Sequence, residues 1–129
     1  MTKDPRVYLA HILECVERVE RFTADGRERF LRDAMVQDAV LRNFEVIGEA
    51  AKRLRDDYRT AHPEIPWRAL AGLRDVLIHQ YEGVDLTRVW TIVENELLGL
   101  KQAISALLPP LDQLERELAG EGEPQRADE

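Results

Sequence analysis

Apolar residues recur three and four positions apart from one end of this chain to the other, and no stretch alternates with the period of two that a half-buried strand requires. That pattern confines the fold to the all-α class. Asp4-Pro5 places an N-cap before a proline at the first helical position. A first helix should therefore run to about Phe22, with Val7, Ile12, Cys15, Val16 and Val19 among its apolar positions, until Ala24-Asp25-Gly26 breaks it. The second helical region, from about Glu28 to Tyr58, is the longest. At ~1.5 Å per residue it would exceed about 40 Å, so a bend or break is expected within it. Gly48 is either its weak point or a site where another helix approaches closely.

His62-Pro63-Glu64-Ile65-Pro66 forms an extended connector, and Pro66 opens a third helix that runs to about Tyr81 before Glu82-Gly83 stops it. Asp85 caps a fourth from Leu86 to about Leu108, ended by Pro109-Pro110, and Leu111 to Leu118 adds a short helical segment. The expected architecture is an antiparallel up-down bundle of four main helices plus that segment, spanning residues 1–118. Residues 119–129 are polar and charged and are expected to be a disordered acidic tail.

Composition narrows the setting. A chain of 129 residues fits one domain, and 44% hydrophobic with 33% charged residues is the profile of a soluble globular protein. No apolar run approaches the roughly 18–20 residues of a membrane span, and no signal-peptide pattern opens the chain. Cys15 is the single cysteine, which excludes an intrachain disulfide and suits a reducing cytoplasm. The formal net charge is −7, of which residues 119–129 carry −3, so the body remains acidic. Such a protein would not bind nucleic acid broadly through its surface field. A local basic site could still hold RNA, above all one assembled from two subunits.

Chemistry concentrates in Arg74-Asp75-Val76-Leu77-Ile78-His79-Gln80-Tyr81. A guanidinium stabilises charge on a phosphate, and an imidazole moves protons near neutral pH. Asp75 and His79 stand at i,i+4, so the carboxylate can reach the imidazole and fix its tautomer. These are the parts of a metal-free phosphodiester cleavage. Leu70, Leu73 and Leu77 form the core stripe of this helix, while Arg68, Gly72, Asp75 and His79 form the opposite one. Gly72 costs roughly 1 kcal/mol against alanine in a helix interior, which suggests that something packs or binds closely there. The competing reading is a solvated face with a histidine favoured by the helix end. Arg74 and His79 lie about 140° apart on an ideal helix. Either the helix distorts near His79, or each site takes groups from two protomers.

Asp38, Arg42, Glu45 and Glu49 make a second polar stripe with i,i+4 pairs Asp38–Arg42 and Glu49–Arg53. It is a solvated face, or else Asp38, Arg42 and Asn43 support the site or a dimer contact. His11 is expected to be structural, His62 exposed, and Trp67 and Trp90 core or interface residues. No clustered His/Cys set suggests a structural zinc.

The order Arg74-x4-His79-x-Tyr81 resembles the signature of HepT-type toxins of the HEPN ribonuclease superfamily. Gln37-Asp38-Ala39-Val40-Leu41-Arg42-Asn43, Ile47-Gly48-Glu49-Ala50-Ala51-Lys52, Pro63-Glu64-Ile65-Pro66-Trp67 and Gly83-Val84-Asp85-Leu86 with Val89-Trp90 extend the likeness over about residues 5–108. The resemblance implies a helical homodimer with a composite, metal-independent RNase site that needs no cofactor and acts on tRNA or mRNA. It further implies a type VII-like toxin–antitoxin pairing with a minimal nucleotidyltransferase, MntA, that transfers AMP to the motif tyrosine. On that basis Arg74 and His79 are catalytic, Asp75 is the polar residue following the arginine, and Tyr81 is the modification site. The rival expectation is a non-catalytic helical partner that presents substrate, or Tyr81 itself, to a nucleotidyltransferase.

Overall fold

The computed structural model describes residues 4–78 and 85–122, and these form eight helices and no strand. Helix α1 (Pro5–Phe22) starts where the sequence places it: the Asp4 carboxylate accepts from the Arg6 backbone N–H at 2.9 Å, and Pro5 occupies the first turn. Leu9, Ile12, Cys15, Val16 and Val19 turn inward and are wholly buried or nearly so. Thr23 closes the helix by donating its hydroxyl to the Val19 carbonyl at 2.7 Å. Gly26, with φ of 95°, makes a left-handed turn that glycine adopts without a Cβ clash.

The long second region is three helices, α2 (Arg27–Arg32), α3 (Ala34–Arg53) and α4 (Asp56–Ala61). Neither break falls at Gly48. The first is at Asp33, whose extended backbone lets its carboxylate cap α3 by accepting from the Met35 and Val36 N–H groups. The second is at Leu54, which leaves helical geometry and is buried in the core. Burying a leucine outweighs the helical hydrogen bond that continuation would add. Within α3, Val40, Phe44, Ile47 and Ala51 line the core face at spacings of four, three and four.

Helix α5 (Trp67–Ile78) follows the connector and buries Leu70 and Leu73. Its entry is pinned by Trp67, whose indole N–H reaches the carbonyls of His62 and Arg59 at 2.9 and 3.1 Å. Tyr58 packs against His62 in a tilted contact with ring centroids 4.4 Å apart, so His62 is half-buried rather than exposed. The expected fourth helix is divided at Glu96 into α6 (Leu86–Asn95) and α7 (Leu97–Ser105), with Leu97 turned into the core after the break. Helix α8 (Leu111–Gly122) continues past the Leu118 boundary, and Leu114 anchors it.

Helices α1, α3 and α5 are the packed centre of this all-α bundle, with α7 against α1 and α2 between α3 and α6. Phe30 and Trp90 join α2 to α6 with ring centroids 5.7 Å apart, which makes Trp90 a core residue. Lys101 ties α7 to Glu20 of α1 at 3.0 Å. No helix among the described residues is long and apolar enough to cross a membrane.

Candidate functional site

Gly48 decides where Arg74 stands. A Cβ built at Gly48 would lie 3.0 Å from the Arg74 Cβ and 3.3 Å from its backbone nitrogen. The glycine therefore lets α5 press against α3, and the close approach is the use to which this position is put. The next residue, Glu49, receives the arginine: its Oε1 is 2.9 Å from Arg74 Nη1. Arg74 Nε is buried with no hydrogen-bond partner among the described residues, while the guanidinium end remains open to solvent. The side chain is thus held at its base and along one edge, with donors to spare.

That guanidinium faces a cleft of about 730 Å³ between α1 and α3. Tyr8, His11, Cys15 and Arg18 line it from α1, and Arg42, Asn43, Glu49 and Arg53 are among those lining it from α3. The local balance is basic, four arginines against two glutamates, on a chain whose total is acidic. A net excess of positive charge in a cleft raises the local concentration of anions there. Burial pushes the Cys15 thiol pKa up, with Arg18 and Arg42 partly opposing the shift, so Cys15 is a neutral floor residue and not a thiolate nucleophile.

Of the residues the sequence singles out, Arg74, Arg42 and Asn43 come together at this cleft. Asn43 is buried and donates its side-chain amide to the Ala39 carbonyl one turn back, which spends part of its capacity on its own helix. Asp38 is exposed on α3 and is not among the lining residues; Arg42 turns to Glu45, 2.7 Å away, in place of the expected Asp38. The Asp75 side chain, His79 and Tyr81 lie outside the described residues. Among the described residues Gly72 has open space beside it rather than a close neighbour, and it borders a separate shallow cleft with Arg88 and Glu96 of the α6 segment. Among the described residues no three His, Cys, Asp or Glu side chains are grouped to hold a metal ion.

Two participants escape sequence reasoning. Glu49 belongs to Arg74 more closely than to Arg53, which stands 4.0 Å away. His11, expected to be structural, is exposed and lines the cleft. The signals were present: Gly48 immediately precedes Glu49, and His11, Cys15 and Arg18 repeat at i, i+4 and i+7 on one face.

The family model described as "Ribonuclease HepT-like" matches residues 12–107 of the chain. A Thermococcus cleftensis protein named "Probable ribonuclease HepT" is 44% identical over 102 residues, covering 78% of this chain and 93% of that protein. A Methanocaldococcus jannaschii protein, named for a gamma-glutamylcyclotransferase and a candidate RNase, is 42% identical over 113 residues, or 87% of this chain. The match spans 51% of that longer protein. A candidate RNase of Caldanaerobacter subterraneus subsp. tengcongensis is 39% identical over 107 residues, covering 82% of this chain and 96% of its own. No solved structure matches the chain significantly.

Proposed function

The chain belongs to the HepT-like ribonuclease family, and we propose that it is a metal-independent endoribonuclease acting through Arg74 and His79. The observation that carries this reading is the setting of Arg74. Its guanidinium is braced by Glu49 at 2.9 Å, 36% of the side chain is exposed, and a basic cleft opens beside it. A phosphodiester entering that cleft meets a preorganised, permanently charged donor.

In this mechanism the RNA 2′-oxygen attacks the adjacent phosphorus and gives its proton to a base. The P–O5′ bond breaks, and the departing oxygen takes a proton from an acid. The products are a 2′,3′-cyclic phosphate and a 5′-hydroxyl. His79 transfers protons, Arg74 stabilises the negative charge that builds on the phosphorane, and Asp75, four residues before His79 in the sequence, orients the imidazole. Two proton transfers and one motif histidine per chain favour a two-fold homodimer that brings two histidines to one cleft. The substrate is a cellular RNA, tRNA or mRNA, met in the cytoplasm. The toxin is neutralised when an MntA-like nucleotidyltransferase antitoxin attaches AMP to Tyr81.

Incubation of the purified chain with RNA in excess EDTA tests the chemistry. Cleavage should leave 2′,3′-cyclic ends, and Arg74→Ala and His79→Ala should each abolish it with helicity unchanged. A variant that cuts at the parental rate removes that residue from the mechanism. A parent that never cuts returns the chain to the role of binding partner.

A further inference from the structure

Arg18 of α1, Arg42 and Arg53 of α3 and Arg74 of α5 line one cleft, although the chain as a whole carries −7. The cleft is elongated: its lining runs along α1 from Tyr8 to Arg18 and along α3 from Arg42 to Arg53. That stretch of α3 is about 16 Å long at the rise of an α-helix. Arg42 and Arg53 therefore stand well apart, and one small anion cannot engage both. A row of cations at such intervals fits a polyanion.

The three arginines outside the catalytic motif are also free to exchange partners. Arg18 sits 3.3 Å from Glu14, Arg42 2.7 Å from Glu45, and Arg53 4.0 Å from Glu49. Their side chains are 44%, 72% and 64% exposed, and ion pairs so exposed are weak. A phosphate accepts the guanidinium fork in two parallel hydrogen bonds and competes well for it. On the α1 side, Tyr8 and the exposed His11 present rings beside this row. A basic track combined with aromatic rings is how proteins hold single-stranded nucleic acid without reading its sequence.

We propose that the α1–α3 groove holds a single-stranded RNA segment leading away from the phosphodiester at Arg74. Backbone phosphates rest on Arg18, Arg42 and Arg53, and bases lie against Tyr8 and His11. This rests on the ribonuclease reading and adds residues that bind substrate without joining the chemistry. The acidic remainder of the surface confines RNA to this track.

Fluorescence anisotropy of a short labelled oligouridylate on the full-length His79→Ala chain, measured across salt concentrations, tests it. Joint replacement Arg18→Gln, Arg42→Gln and Arg53→Gln should weaken binding at least tenfold. The slope of log affinity against log salt should shrink by about 2, since each single-strand phosphate contact contributes ~0.7. Tyr8→Leu and His11→Ala should each weaken binding about fivefold or more with the slope kept. An equal charge change at the exposed Arg27, Arg32 and Arg116 should leave affinity nearly unchanged. Parental affinity and slope in the groove variant, an equal loss from the control set, or no RNA binding by the parent overturns the proposal. A wild-type chain that binds through the groove without cutting keeps the groove and removes the nuclease. One that cuts while the groove variant binds normally does the reverse.

Discussion

Glu49 and Arg74 form an ion pair at 2.9 Å between α3 and α5, one residue beyond the glycine at which the two helices meet. The pair is 42% and 36% exposed, so water screens it and its share of the folding energy is small. Its effect is geometric. A long, flexible guanidinium is held to one side of the cleft instead of sampling many rotamers.

Glu49→Gln should therefore slow RNA cleavage about tenfold, a barrier change of ~1.4 kcal/mol, while leaving stability within about 1 kcal/mol of the parent. The loss should fall in kcat more than in KM, because the arginine is misplaced rather than removed. Single-turnover kinetics with thermal melts checks both halves. An unchanged kcat would mean that Arg74 needs no brace.

Two glycines should respond in opposite directions. Gly48→Ala puts a methyl 3.0 Å from the Arg74 Cβ, with backbone atoms close behind, so the helices must part. Overpacking of this kind costs about 1–3 kcal/mol, and the shift should also impair cleavage. Gly72→Ala, in the interior of α5, meets nothing within 4 Å among the described residues. It should stabilise the protein by roughly 0.4–1 kcal/mol through helix propensity and a less flexible unfolded chain. Denaturant melts of the two variants decide the matter, and a destabilised Gly72→Ala would mean that this face is covered in the assembled protein.

Asp33 ties stability to acid. The Arg29 side chain holds its carboxyl below the ordinary value of 3.8, with help from the Val36 and Met35 N–H groups of the helix it caps. A depressed folded-state pKa means that the contribution is complete above the ordinary value and is lost as pH falls through the folded one. Melting temperature should thus decline more steeply below about pH 4 in the parent than in Asp33→Asn, which retains a capping oxygen but does not titrate. Parallel acid profiles for the two proteins would remove Asp33 from the account.

Tyr81 follows His79 by two residues in the sequence, and the proposed function makes it the site that receives AMP. Attaching AMP there would add bulk and a negative phosphodiester where an RNA phosphate must enter. Co-expression with a cognate nucleotidyltransferase should add AMP to Tyr81 and silence cleavage. Tyr81→Phe should stay folded and escape both modification and silencing. Mass spectrometry that finds AMP elsewhere, or a Phe variant still neutralised by AMP transfer, would exclude Tyr81 as the switch.

Much of the fold follows from local rules that a sequence displays directly. The Asp4-Pro5 start of α1, the Asp85 cap of α6 and the spacing of Leu9, Ile12, Val16 and Val19 each depend on residues within a turn or two. The family motif around Arg74 is legible for the same reason, being contiguous in the chain. Where the long helices break was not legible from pattern alone. Leu54 and Leu97 keep the hydrophobic period of a continuing helix, and only the position of the core decides that the chain bends to bury them. The site behaves likewise. Glu49 has Arg53 as a suitable partner four residues on, and nothing local to α3 prefers Arg74. Choosing between them takes the approach of α5 at Gly48, and the groove between α1 and α3 takes the packing of helices distant in sequence. Backbone hydrogen bonds and caps act over a few residues, so sequence determines where helices start and which face is apolar; core burial, ion pairs and clefts act across space, so only tertiary packing decides where the long helices break and which charges meet.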